Sequence, residues 1–168
     1  FLNCKYLTLS ELKNWEYAAK TQFFLSGYRA ADLLADGYFT RYFNERSFFV
    51  SLGGGLSSQK PSYFMNNYGS AHYIWDKDFK NIDNVSAFGE IGNERDFNLR
   101  LSLNFYTGYV FFNTEAIPEQ VESEIFTASL KLNKKFVWGP VNHHHDILLQ
   151  KGAEDIINVP LFAYRNST

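Results

Sequence analysis

Asp96-Phe97-Asn98-Leu99-Arg100-Leu101-Ser102-Leu103-Asn104-Phe105-Tyr106 alternates between apolar and polar side chains from end to end. Phe97, Leu99, Leu101, Leu103 and Phe105 fall on one side, and Asp96, Asn98, Arg100, Ser102, Asn104 and Tyr106 on the other. Successive side chains of a strand point to opposite faces, so a period of two predicts a β-strand with one oily and one wet face. Residues 47–57 repeat the pattern, with Phe48, Val50, Leu52 and Leu56 against Ser47, Ser51, Gly53, Gly55 and Ser57. Residues 126–133 set Phe126, Ala128, Leu130 and Leu132 against Thr127, Ser129, Lys131 and Asn133, and residues 85–92 alternate with Glu90 on the wet side. Residues 17–26, 31–43, 141–150 and 157–164 complete a set of about eight strands. Turn-forming residues separate them: Gly27-Tyr28-Arg29, Asn44-Glu45-Arg46, Gly92-Asn93-Glu94 and Lys151-Gly152-Ala153.

Strand length and connection length point to a membrane barrel. Residues 96–112 read as one long strand, and a tilted strand needs about 9–11 residues to cross the hydrocarbon layer, against about 5–6 in soluble proteins. Tight turns follow Phe43 and Gly92, whereas residues 59–82 form a long loop and 113–120 an intermediate one. Short turns at one end and long loops at the other characterise outer-membrane barrels, although Gly27–Ala30 is short where alternation asks for a long loop. The wet face holds Ser, Thr, Asn, Gln and Gly with single charges, which suits an enclosed polar interior better than a lysine-rich soluble surface. Gly53-Gly54-Gly55 suggests a bend or a close backbone approach in a curved sheet. Ser10-Glu11-Leu12-Lys13 offers a helical start, so residues 1–16 are expected to be a loop or short helix and 17–168 a barrel segment.

Composition agrees. The 168 residues include 17 Phe, 11 Tyr and 3 Trp, residue types that favour strands and the interfacial girdles of barrels. A formal net charge of -2 argues against nucleic acid, whose phosphates demand a basic surface. No run approaches the ~18 apolar residues of a spanning helix. Cys4, the sole cysteine, has no internal disulfide partner, and Asn3 before it makes a poor lipidation site.

Phe24-Leu25-Ser26-Gly27-Tyr28-Arg29-Ala30-Ala31-Asp32-Leu33-Leu34-Ala35-Asp36-Gly37 resembles the G-Y-R-x-x-D hairpin of the putative porins of Bacteroidota. Gln59-Lys60-Pro61-Ser62-Tyr63 and the stretch from Asn66-Asn67-Tyr68 to Tyr73-Ile74-Trp75 are similar to that family as well. Leu149-Gln150, Val159-Pro160-Leu161 and Tyr164-Arg165-Asn166-Ser167 look like its late barrel strands, so the resemblance spans residues 17–168. It implies an all-β, antiparallel transmembrane β-barrel in the bacterial outer membrane. Family members are longer and carry more strands, so this chain is expected to be part of a larger barrel. Eight strands enclose an interior filled by side chains, whereas a water-filled channel takes roughly 16–18.

Candidate residues follow from the faces. Lys20, Asp36, Glu90, Arg100 and Lys131 are expected to face a lumen and bias which solute enters. Trp15, Tyr42, Phe43, Trp75, Tyr109 and Trp138 are expected to form an aromatic girdle at the headgroup level. His143 and His145 share a strand face and are a weak metal candidate; the plainer reading is a polar strand end, because a structural site takes about four ligands. Asp76/Asp78 and Glu122/Glu124 would place acid pairs on one strand face, but no nucleophile–base motif accompanies them and no enzyme is expected. No cofactor is expected. The leading function is porin-like passage of small solutes, with membrane lipid, small solutes and other outer-membrane proteins as partners. The alternatives are a non-conducting scaffold subunit of an outer-membrane complex and a soluble β-sandwich or lipocalin-like binder.

Overall fold

The computed structural model describes residues 3–12, 14–43, 47–93, 95–152, 156 and 159–167, the first of these stretches by its backbone. In chain order they form β1 (Asn3–Leu12), β2 (Trp15–Phe24), β3 (Leu33–Phe43), β4 (Phe48–Gln59), a single helical turn α1 (Tyr63–Asn66), β5 (Asn67–Gly69) and β6 (Ile74–Asp76). There follow β7 (Ile82–Asn93), β8 (Phe97–Thr107), β9 (Val110–Phe112), β10 (Pro118–Gln120), β11 (Ile125–Trp138), β12 (Val141–Lys151) and β13 (Phe162–Ser167). Nine strands make one sheet in the order β1-β2-β3-β4-β7-β8-β11-β12-β13, and β5-β6 and β9-β10 are small separate hairpins. Every neighbouring pair is antiparallel. Strand order therefore follows chain order, an up-and-down meander. Among the described residues β1 and β13 are its two edges and do not pair with each other.

The register carries the alternation of β8 across its neighbours. Leu101 stands opposite Gly89 and Leu130, Leu99 opposite Ile91 and Leu132, and Phe105 opposite Val85 and Phe126. Directly opposed residues share a face. The oily side of β8 thus continues through Leu52 and Leu56 of β4 to Phe39 of β3 and Tyr17 of β2, and through Leu130 to Leu149 of β12. This apolar face is bare: Leu52, Leu56 and Leu101 are 51%, 57% and 45% exposed. Among the described residues Val110 and Ile125 are the buried hydrophobics, and both sit at the ends of the loops that follow β8. A soluble sandwich would bury two inner faces against each other. Here the apolar face meets no second layer among the described residues.

The connections sort by end. Residues 13–14, 44–47, 94–96 and 139–140 link strands at what we call the turn end; residues 25–32, 60–81, 108–124 and 152–161 link them at the loop end. The sequence makes the first loop look too short because Gly27–Ala30 is its tip; the whole connection runs from 25 to 32.

Three expectations are corrected. Residues 3–12 are a strand and not a loop or short helix: Leu12 stands opposite Trp15, and a full ladder to β2 outweighs the weak helical tendency of a short segment. The Cys4 side chain lies outside the description. The long strand expected over 96–112 breaks at Gly108, whose φ of +69° suits a residue without a Cβ, and the chain re-forms as β9. The last strand begins at Phe162; residues 157–158 lie outside the described residues. No described helix is long and apolar enough to cross a membrane, which says nothing of strands.

Candidate functional site

The polar face is a grid of side chains set by the register. One row crosses the sheet as Glu16, Thr40, Ser51, Glu90, Arg100 and Lys131. The next holds Tyr38, Gly53, Phe88, Ser102 and Ser129, and a third holds Lys20, Asp36, Gly55, Ser86, Asn104 and Thr127. Lys20, Asp36, Glu90, Arg100 and Lys131 therefore all project from this one face, with Lys20 directly opposite Asp36.

Several of its charges are answered by neighbours. Arg100 Nη1 donates to Glu90 Oε2 at 2.9 Å, and Asn98 Nδ2 donates to Glu90 Oε1 at 2.5 Å. The Arg100 guanidinium also lies 3.9 Å above the Phe88 ring. Phe88 in turn covers Gly53, where a Cβ would come within 2.5 Å of the ring and 2.7 Å of the Gly37 carbonyl. The glycine tract thus makes room for a Phe–Arg–Glu stack at the centre of the polar face. Glu16 accepts from Tyr38 OH at 2.7 Å and Tyr42 OH at 2.9 Å. Thr40 and Ser51 share a hydrogen bond of 2.5 Å. Asp146 accepts from Asn133 and from Arg165 Nε at 2.8 Å.

At the loop end, side chains tie one connection to the next. Asp32, fully buried, accepts from Arg29 Nε at 2.6 Å and from the Lys60 backbone N–H at 2.9 Å. Tyr28 OH donates to the Pro61 carbonyl at 3.0 Å and accepts from Asn66 Nδ2 at 2.6 Å. Gln120 bridges the next pair of loops: Nε2 donates to the Lys80 and Gly108 carbonyls at 2.9 and 2.7 Å, and Oε1 accepts the Lys80 N–H at 3.0 Å. Three consecutive connections are so joined into one rim.

Residues 6–168 match a protein family described as "Putative porin". The chain belongs to that family. No curated protein and no solved structure matches it. In this porin-family chain the Tyr28 and Asp32 side chains of the Gly27-Tyr28-Arg29-Ala30-Ala31-Asp32 segment tie loop 25–32 to loop 60–81, and Arg29 pairs with Asp32 within its own loop. Asn66 and Gln120 were not legible as site residues, because their partners lie 38 and 40 positions away in the chain.

The six aromatic residues expected in a girdle divide between the faces and the loops. Trp15, Phe43 and Trp138 sit on the apolar face at the turn end. Phe48, Phe97 and Phe136 join them, while Phe23, Phe105 and Phe126 mark the loop end of the same face. The rise from Phe97 to Phe105 comes to roughly 27 Å along the strand. Tyr42 is on the polar face, since adjacent strand residues cannot share a side with Phe43. Trp75 lies in the β5–β6 hairpin, stacked on Tyr68 at 4.7 Å with Nε1 donating to the Phe64 carbonyl at 3.0 Å. Tyr109 follows the break at Gly108 and meets Tyr106 edge-on at 5.8 Å.

His143 and His145 do share a face, the apolar one, at the turn end. His143 packs edge-on against Trp138 at 5.5 Å, and His145 lies against Phe136 and shares a 2.7 Å hydrogen bond with Tyr164 OH. Among the described residues no three His, Cys, Asp or Glu side chains converge. Asp78, Glu122 and Glu124 fall outside strands, so neither acid pair has the same-face geometry that alternation would impose.

Proposed function

We propose that the chain forms part of the wall of an outer-membrane β-barrel whose polar face lines a passage for small solutes. The observation that carries this reading is the opposition of two faces on one sheet: a bare apolar face with aromatic residues at both ends, and a polar face of small hydroxyls, amides and paired charges. Lipid accepts the first, and water or polar solutes accept the second. A strand edge left open in hydrocarbon would strand unpaired backbone groups, so further strands complete the wall beyond β1 and β13. Turn-end connections then face the periplasm and the knitted loop rim faces outward. The intact mass of the native polypeptide tests whether one chain supplies those strands.

On this reading Arg100, Lys131, Lys20, Glu90 and Asp36 set the field that a solute crosses, and no residue is assigned a chemical step. Arg100→Ala removes a positive charge and shifts ion preference toward cations; reversal potentials in planar bilayers measure it. An unchanged reversal potential with conductance intact takes Arg100 out of the lumen. The Phe88–Arg100–Glu90 stack also favours a second reading, a non-conducting scaffold whose interior is filled by such side chains. Liposome swelling separates the two, because a filled barrel admits no solute.

A further inference from the structure

The register puts Arg41 on the apolar face, opposite Trp15 of β2 and Val50 of β4. Its guanidinium carbon lies 4.9 Å from the Trp15 ring centre and 5.0 Å from that of Phe43, and Trp15 itself stacks on Phe39 at 5.7 Å. Aromatic faces hold a guanidinium through its charge and leave the donors at its edge free. Among the described residues no carboxylate pairs with Arg41. Lys134, at the same end of the same face, is the contrast. Its Nζ lies 5.9 Å from the Phe97 ring and 5.5 Å from Phe136, yet it donates to Asp96 Oδ2 at 2.7 Å. Both are cations beside aromatic rings; among the described residues one has its own anion and the other has none.

An unpaired charge against lipid is stable near the interface, where the headgroups supply counter-charge, and costly deeper in. The planar fork of a guanidinium matches two oxygens of a phosphate, a fit an ammonium lacks. We propose that Arg41, flanked by Trp15 and Phe43, binds the phosphate of a membrane phospholipid in the leaflet at the turn end. The proposal rests on the apolar face meeting lipid. The bound headgroup completes the ion pair that β2, β3 and β4 leave open and fixes the height of this edge of the wall.

The test reconstitutes the full chain in nanodiscs that mix phosphatidylglycerol with an uncharged glucosyl diacylglycerol, then counts retained phosphatidylglycerol by native mass spectrometry. Arg41→Ala retains about tenfold less, the worth of one charge-assisted contact. Arg41→Lys retains an intermediate amount, and Lys134→Ala leaves retention unchanged. Heat-modifiable migration on gels confirms folding, and Arg41→Gln carries the comparison if the alanine variant does not refold. Quenching of Trp15 by brominated acyl chains, read in a Trp75→Phe, Trp138→Phe background, reports lipid contact independently of headgroup. Quenching with equal retention in wild type and Arg41→Ala overturns the phosphate site and leaves the wall reading standing; absence of quenching overturns both. An equal loss in Lys134→Ala overturns it in favour of diffuse attraction. Displacement of the retained lipid by inorganic phosphate overturns the headgroup assignment in favour of a free-anion site.

Discussion

The two faces of the sheet share the same strands, the same backbone ladder and the same register, yet they are built by different rules. Away from the Arg41, Lys134 and His145 contacts at the turn end, side chains on the apolar face meet through shape: Phe105 lies against Phe126 at 4.8 Å, and Leu101 and Leu52 are bare. On the polar face nearly every contact is directional, from Glu90 with Arg100 and Asn98 to Glu16 with two tyrosines. The first face is indifferent to which apolar neighbour it has, so long as the surroundings are apolar too. The second depends on particular partners. The difference teaches that the surrounding medium fixes one face and the protein itself fixes the other.

The largest effect that would break this contrast is a charge in the middle of the apolar face. Leu101→Arg should destabilise the folded protein in vesicles by about 2–4 kcal/mol, the cost of an arginine at the midplane of a barrel wall. Asn104→Arg, on the polar face of the same strand, should fall within roughly 0.5 kcal/mol of wild type. Denaturant titrations after reconstitution compare the two, and equal losses would mean that both faces see the same medium.

A finer contrast lies between two glycines on adjacent strands. A Cβ at Gly53 meets the Phe88 ring and the Gly37 carbonyl, whereas one at Gly89 meets Leu52 Cδ2 at an ordinary 3.5 Å. Gly53→Ala must displace Phe88 from under Arg100 and should cost about 1–3 kcal/mol. Gly89→Ala should be neutral or stabilising by up to about 1 kcal/mol, through the unfolded chain. The same titrations read both, and the ordering matters more than either size.

The smallest expected effect sits at the turn end, where Asp96 answers Lys134. The Lys134 ammonium, hydrogen-bonded to Asp96, holds that carboxyl below the ordinary carboxylate range, and Asn93 adds to the effect. A lowered carboxyl contributes stability that is present above its unfolded pKa and lost as pH falls through its folded value. Acidification below about pH 4 should therefore weaken the native turn slightly, since the pair is exposed and screened. Asp96→Asn should remove that increment of acid sensitivity; midpoints measured at neutral and acid pH in both proteins check it.

Much of this is legible in the sequence alone. The alternation in residues 96–106 is a local property, and antiparallel pairing copies it from strand to strand, so Lys20, Asp36, Glu90, Arg100 and Lys131 reach one face without any knowledge of the tertiary structure. The face that each aromatic takes was only half legible. Composition shows how many aromatics there are, but parity along the strand decides which side each takes, and Tyr42 and Phe43 must diverge. Residues 3–12 carried too little alternation to outweigh a helix-start signal. The rim was not legible at all. Asp32 with Lys60, Tyr28 with Asn66 and Gln120 with Lys80 are contacts between distant loop positions, and no periodicity encodes them.

Because each strand in the meander lies beside the one synthesised just before it, nothing in this ribbon has to wait for a distant segment to arrive. Closing a hairpin through a short connection costs little entropy, and the next strand finds a finished edge to zip against. The two large interruptions, residues 60–81 and 108–124, fold partly upon themselves as α1 with β5–β6 and as β9–β10, which shortens the effective gap that β7 and β11 must cross. The chain is in this sense written in its own assembly order.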